Sequence, residues 1–326
     1  MKAVVLDGFG GLDVLQYRDI PKPIAVPGTV LIRIKAFGIN HAEMHMRRGE
    51  WAEAAPVSGI ECVGIVEACP GGEFAVGTKV AAFMGGLGRT INGSYAEYTL
   101  ASVHNVAAIE SELSWAELAA IPITYATAWT TLFRNLDLQP GQTLVIRGAT
   151  SSLGLAAVNL AVNAGARVIS TSTNDSQFDR LIQMGVTRCE VESLQLSAQL
   201  PDKGQIDAVL DLVGNSVVVD SLRIVRRGGK VCLAGWLGGL DPIPDFNPLL
   251  QMASGVYLTF FGSFVFGTPQ FPVSDVPLQA IATDIAAGKF QAKPSRIFRF
   301  DELRDAHRVM EANEAKGKMV VVHDDA

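Results

Sequence analysis

The sequence predicts an α/β protein in two parts, a β-rich, barrel-like unit and a doubly wound parallel sheet. Three observations carry this expectation. Short strand-like runs broken by turn residues fill the chain up to about residue 110. From Thr143 to about residue 234 strand-like and helix-like segments alternate with short connections. Beyond about residue 266 the pattern is mixed again. With 326 residues, 48% hydrophobic and 18% charged, the chain is long and apolar enough for two cores and is not a disordered protein.

In the first part, residues 29–35 alternate apolar and polar, and the strand-like runs 64–67 and 77–83 follow glycines. Pro27-Gly28 and Pro70-Gly71-Gly72 mark turns between such runs. Dense short strands of this kind suggest a barrel rather than βαβ repeats. Ser114 and Glu117 have the spacing of a capping box that opens a helix. The alternating part then reads as strand 143–147, a nearly uncharged helix 153–164, strand 167–172 and helix 177–184. Strand 207–213, helix 216–225, the turn Gly228-Gly229 and strand 230–234 follow. This is the signature of a parallel doubly wound sheet. A polar helix over 301–312 and a strand over 318–322 close the chain.

Residues 246–274 carry no charge, a length that could span a bilayer. Three prolines and three glycines argue against a membrane helix, and the aromatic, β-branched run 255–266 reads as a strand. The net charge of −6 and the lack of any basic run argue against nucleic-acid and anionic-membrane partners. Cys62, Cys69, Cys189 and Cys232 form neither a C-x-x-C pair nor a disulfide scaffold, and Asp7 comes too early for a signal peptide. A reduced, cytoplasmic setting is expected.

The turn between strand 143–147 and its helix holds Gly148, Ala149, Ser151, Ser152, Leu153 and Gly154. A dinucleotide site needs small residues here, so that the chain bends sharply, the backbone approaches a pyrophosphate and the helix packs on the sheet. The amides at the helix N-terminus then meet the phosphates. Only the last glycine of a G-x-G-x-x-G survives, so the signal rests on its strand–turn–helix context. The next strand ends in Ser172, Thr173 and Asn174, with serine where an NAD site usually carries an acid. Hydroxyls and an amide can donate to a 2′-phosphate, so NADPH is expected over NADH. Gly235 and Trp236 follow the strand 230–234, at the end of the sheet where such folds bind ligands.

With these residues placed, the whole chain resembles the medium-chain dehydrogenase/reductase superfamily, in its zinc-free quinone oxidoreductase (zeta-crystallin-like) branch. The likeness lies in Gly38-Ile-Asn-His-Ala-Glu43, Gly59-Ile-Glu-Cys-Val-Gly-Ile-Val66, Gly77-Thr-Lys-Val-Ala81 and Gly93-Ser-Tyr-Ala-Glu-Tyr98. It continues in Ala120-Ile-Pro-Ile-Thr-Tyr-Ala-Thr-Ala-Trp129, the Gly148 turn, Asp207-Ala-Val-Leu-Asp-Leu-Val-Gly214 and Gly317-Lys-Met-Val-Val321. The resemblance implies a Rossmann NADPH-binding domain (122–265) inserted in a GroES-like catalytic domain (1–121 and 266–326). It implies that Gly214 and Asn215 lie against the cofactor, and that Thr127 sits beside the nicotinamide. It also implies a homodimer paired through the apolar strand near 256–261. One departure is Gln177, where NADPH-using relatives often carry lysine.

The zinc enzymes of the superfamily carry a cysteine where this chain has Asn40 and a histidine where it has Ile60, so no metal is expected. Without a Lewis acid the fitting acceptors are quinones and α,β-unsaturated carbonyls, whose conjugation spreads the developing charge. Hydrogen bonds from Asn40, His45 or a water then suffice. Met44, Trp51, Trp236 and Phe261 are candidates for an apolar lining. In the family the position of His45 commonly holds an aromatic hydroxyl in the substrate pocket. Here it reads as a substrate contact or proton donor, as a partly exposed histidine without a role, or, with His41, as an adventitious metal site. Two other functions stay open at this point, an enoyl thioester reductase and a cofactor-binding sensor or structural protein with little catalysis.

Overall fold

The protein is described from a computed structural model, which covers residues 1–51 and 53–324. It divides into two compact units, one formed by Met1–Ala126 with Ser263–Ala326 and the other by Thr127–Gly262.

The first unit begins with an antiparallel pair, β1 (Lys2–Leu6) and β2 (Leu15–Asp19). The long strand β3 (Thr29–Ile39) follows and leads directly into α1 (His41–Arg48). Next come β4 (Glu61–Ala68), β5 (Lys79–Phe83), β6 (Tyr98–Ser102), β7 (Val106–Ala108) and α2 (Trp115–Ala119). Ser114 and Glu117 do form the capping box of α2. The alternating run 29–35 lies within β3, which is buried on both faces. It pairs with β4 and with β6, and its far end with the closing strand, so little of it reaches water.

Helix α3 (Pro122–Trp129) carries the chain into the second unit. There β8 (Thr143–Arg147), α4 (Ser152–Asn163), β9 (Arg167–Ser172), α5 (Phe178–Gln183) and β10 (Arg188–Val191) follow one another. They are succeeded by α6 (Leu196–Gln199), β11 (Ile206–Asp211), α7 (Val218–Ser221), β12 (Val225–Leu233), α8 (Pro248–Gln251) and β13 (Tyr257–Phe260). The sheet order is β10-β9-β8-β11-β12-β13, with every pairing parallel. The unit is therefore a doubly wound Rossmann sheet whose order reverses between β8 and β11. Val145, Val209 and Val231 of its three middle strands lie in one apolar core.

The structure corrects three sequence expectations in this unit. The helix expected over 216–225 is only α7, because Leu222 and Ile224 are buried and Val225 already pairs with β11. Gly228-Gly229 does not separate a helix from a strand. It forms a bulge inside β12, where the register jumps from Ile206↔Val225 to Ala208↔Lys230. The strand expected over 255–266 is reduced to β13, at the sheet edge. The chain returns to the first unit through α9 (Leu278–Ala286), β14 (Arg296–Arg299), α10 (Leu303–Glu311) and β15 (Met319–Val322). Strand β15 pairs antiparallel with β3 and completes the sheet β14-β15-β3-β4-β5-β7, with β6 on β3.

Candidate functional site

The loops after β8 and β11 leave the sheet at its switch point, where the carboxyl ends of neighbouring strands open a crevice. After β8, Gly148 takes φ +76°, and its N–H donates to the Thr171 hydroxyl at 3.0 Å. The amide of Ala149, a fully buried residue, donates to the Thr171 carbonyl at 3.0 Å. Ser151 caps α4, accepting from the Gly154 amide at 3.1 Å and donating to the Gly148 carbonyl at 2.9 Å. The first-turn amides of Ser152 and Leu153 point out of the helix end. A Cβ on Gly154 would lie 2.6 Å from the Ala149 backbone, so only glycine lets the helix press this closely on the turn.

After β11, Gly214 takes φ +104° and its amide donates to Asp211 Oδ1 at 2.9 Å. A Cβ there would lie 2.7 Å from the Gly235 carbonyl oxygen. A Cβ on Gly148 would lie 2.8 Å from the Leu237 side chain, so the turn after β8 and the segment after β12 also touch. Asn215 donates to the Asp241 carbonyl at 2.8 Å, and Trp236 packs edge-on against Phe260. The fold thus brings Gly148, Ala149, Ser151, Ser152, Leu153, Gly154, Gly214, Asn215, Gly235 and Trp236 to one end of one sheet. The close backbone approaches and the outward amides of Ser152 and Leu153 suit a dinucleotide pyrophosphate.

The end of β9 departs from the expected donor set. Ser172 is buried, and its hydroxyl donates to the Asn174 carbonyl and accepts from the Asn174 amide. A buried hydroxyl must find a partner, and the local turn supplies it. Of the groups expected to face a 2′-phosphate, the exposed ones are Thr173 and Asn174, and Asn174 Oδ1 accepts from the Ser176 amide. Thr127 is buried in α3, and its carbonyl accepts from the Thr131 hydroxyl at 2.9 Å. A π-helical segment, Thr130–Asn135, follows at once, an irregularity frequent at functional sites.

In the first unit, Asn40 precedes α1 and lies in a buried polar cluster. Its side-chain amide donates to Glu43 at 3.2 Å and to Glu61 at 3.0 Å, and its carbonyl accepts from Lys318 Nζ at 2.6 Å. Lys318 also bonds Glu61 Oε1, and Glu61 Oε2 accepts the Ile123 amide. Both amide hydrogens of Asn40 are therefore committed to carboxylates, and the donor role expected of it is already filled within the protein. A Cβ on Gly38 would collide with Glu61 and Lys318, so this glycine admits the ion pair. Two carboxylates share one ammonium here, and burial pushes the Glu43 carboxyl up to about 7 against the pull of Lys318 and Asn40. Sequence reading missed the role of Lys318. Its one signal is a lysine placed between Gly317 and an apolar strand.

His45 lies on α1, with Nδ1 bonded to Glu50 and its ring stacked on Trp51 at 5.4 Å between centroids. His41 shares its helix face. Burial lowers its pKa to about 4, with the charges of His45 and Lys318 adding to the effect. Met44 and Phe261, expected as lining residues, are both buried. Ile60 is a buried hydrocarbon, and among the described residues no group of three His, Cys, Asp or Glu side chains is arranged to hold a metal ion. None of the helices is long and apolar enough to cross a membrane, among the residues described.

Residues 26–111 match the family described as "Alcohol dehydrogenase GroES-like domain", and residues 178–321 match "Zinc-binding dehydrogenase". The quinone oxidoreductase of Homo sapiens is 28% identical over 336 residues, 99% of this chain and 98% of that protein. A mycobacterial structure solved in complex with NADPH is 25% identical, with a TM-score of 0.85 over 99% of each chain. A CurK enoyl reductase shares the fold at 22% identity, with a TM-score of 0.82 over 99% of each chain.

Proposed function

We propose that this chain is an oxidoreductase of the medium-chain dehydrogenase/reductase superfamily, in its quinone oxidoreductase branch, and that it reduces quinones or α,β-unsaturated carbonyls with NADPH and without zinc. The observation that carries this reading is Lys318 Nζ, held between Asn40 Oδ1 and Glu61. An ammonium sits among the donors nearest to the zinc-ligand positions of related enzymes, and Ile60 offers no lone pair. A tetrahedral zinc site needs three or four N, S or O ligands, so these residues do not fit the ion.

The turn after β8 does fit a dinucleotide: small residues, a left-handed glycine and outward amides meet the needs of a pyrophosphate. Bound there, NADPH supplies a hydride. The Ser152 and Leu153 amides hold the phosphates, and Gly214 with Gly235 lets the backbone come close to the cofactor. Thr173 and Asn174 are the groups that would favour a 2′-phosphate, and the mycobacterial structure complexed with NADPH supports the same choice. Thr127 orients the nicotinamide. With hydride going to the acceptor, the reduction needs one further proton. His45 provides it from Nε2, Glu50 fixing the ring through Nδ1. A conjugated acceptor spreads its negative charge, so one such donor replaces a metal.

The exposed side chains of Tyr257, Leu258 and Phe260 on the edge strand β13 support pairing with a second copy of this chain. The reductase reading is tested by following loss of NADPH absorbance with a small quinone and with a linear enone, chelator present. Oxidation with either, slowed in His45→Phe with cofactor affinity kept, supports the reading. No turnover despite NADPH binding overturns it and favours a sensor or a bulky thioester substrate.

A further inference from the structure

The last residue of β8 is a fully buried arginine in a strand otherwise filled by Thr143, Leu144, Val145 and Ile146. A buried guanidinium is costly, and an apolar side chain at such a position is often at least as stable. Arg147 directs its hydrogen bonds two ways. Nε and Nη2 donate to Glu192, and Nη2 also donates to the Ser193 carbonyl. Nη1 donates to Asp220 at 3.0 Å and to the Ser221 hydroxyl at 3.1 Å.

Each direction ends on one of the cofactor turns. Glu192 Oε2 accepts from the Thr171 hydroxyl, which itself accepts the Gly148 amide at 3.0 Å. The Ser221 hydroxyl donates to Asp211 Oδ2 at 2.7 Å, and Asp211 Oδ1 accepts the amides of Val213 and Gly214 at 3.0 and 2.9 Å. We propose that Arg147 is a positioning residue that sets both glycine turns of the cofactor site, through Thr171 on one side and Ser221 on the other. This rests on the dinucleotide reading of those turns. The arginine also balances charge, since Glu192, Asp211 and Asp220 are carboxylates packed beneath a site that receives phosphates. Without Arg147 they face an anionic ligand uncompensated.

The test titrates NADPH against the unsubstituted protein, Thr171→Val, Thr171→Ser, Arg147→Met and Arg147→Met/Glu192→Gln, and measures KM and kcat in parallel. The expected result is that Thr171→Val weakens cofactor binding about tenfold, the size of one lost hydrogen bond in a relay. Thr171→Ser restores the affinity, and kcat at saturating cofactor holds in both. Arg147→Met loses more affinity, and Glu192→Gln returns part of it. Should Arg147→Met fail to fold, the Thr171 pair decides. Folded Thr171→Val with unaltered affinity overturns the proposal, as does a loss of Tm without any change in Kd. Absence of NADPH binding by the unsubstituted chain instead sinks the dinucleotide reading, and this proposal with it.

Discussion

Arg147 and Asp211 are register partners at the ends of β8 and β11, and the Ser221 hydroxyl lies between them, accepting from the first and donating to the second. The two strands flank the point where the sheet order reverses. The ionic floor of the crevice is thus built from the same strand ends that launch its two glycine turns.

Gly154→Ala places a methyl group 2.6 Å from the Ala149 backbone, and the start of α4 must back away from the turn. Overpacking of this kind costs about 1–3 kcal/mol of stability. The displaced amides of Ser152 and Leu153 should also weaken NADPH binding. Urea unfolding and a cofactor titration check both effects, and unchanged affinity would show that the helix end does not hold the phosphates.

Lys318→Met leaves Glu61, which is fully buried, without its cation. The expected loss is about 3–5 kcal/mol, the usual effect of removing one partner of a buried pair. Adding Glu61→Gln should recover part of it, because the orphaned charge is then gone. A denaturant series on the single and double variants decides, and equal losses in both would refute the charge argument.

His307 is buried, with Nε2 bonded to the Tyr95 hydroxyl at 2.9 Å. Burial, aided by the Arg47 charge, lowers its pKa to about 3. The unfolded chain takes up this proton near 6.5 while the folded one resists it. Stability present above pH 6.5 is therefore lost as the pH falls towards 3, by up to about 5 kcal/mol. Glu43, raised to about 7, acts with the opposite sign: its contribution is full below 4.5 and is lost as the pH rises through 7. His307→Gln removes only the first effect. Urea midpoints from pH 4 to 7 should show a flatter acid limb in the variant, and parallel curves would contradict the assignment.

Leu258→Lys adds a charge to the β13 edge. Sedimentation should find the unsubstituted protein at twice its chain mass and the variant shifted towards the monomer. A monomer before substitution would rule out this interface.

Much of the fold was legible because its causes are local. A run of small residues between a strand and a helix has few other uses, and Gly148 and Gly154 marked the turn without reference to the rest of the chain. The capping box at Ser114 and strand 167–172 were equally local. Strand β10 was missed, since the alternation of Arg188-Cys-Glu-Val runs over only four residues, two of them charged. Arg147 read as an ordinary strand residue.

The sequence by itself determined the two kinds of unit, the small-residue turn after β8 and the absence of cysteine and histidine at Asn40 and Ile60, because residue size, backbone freedom and donor chemistry belong to single residues and short segments. Tertiary structure alone decided how those residues are used. It turned Ser172 into its own loop, bound both hydrogens of Asn40, and set Lys318 against a residue 278 positions away in the chain. Buried polar groups must be paired, and which partner each one finds depends on how distant strands come together.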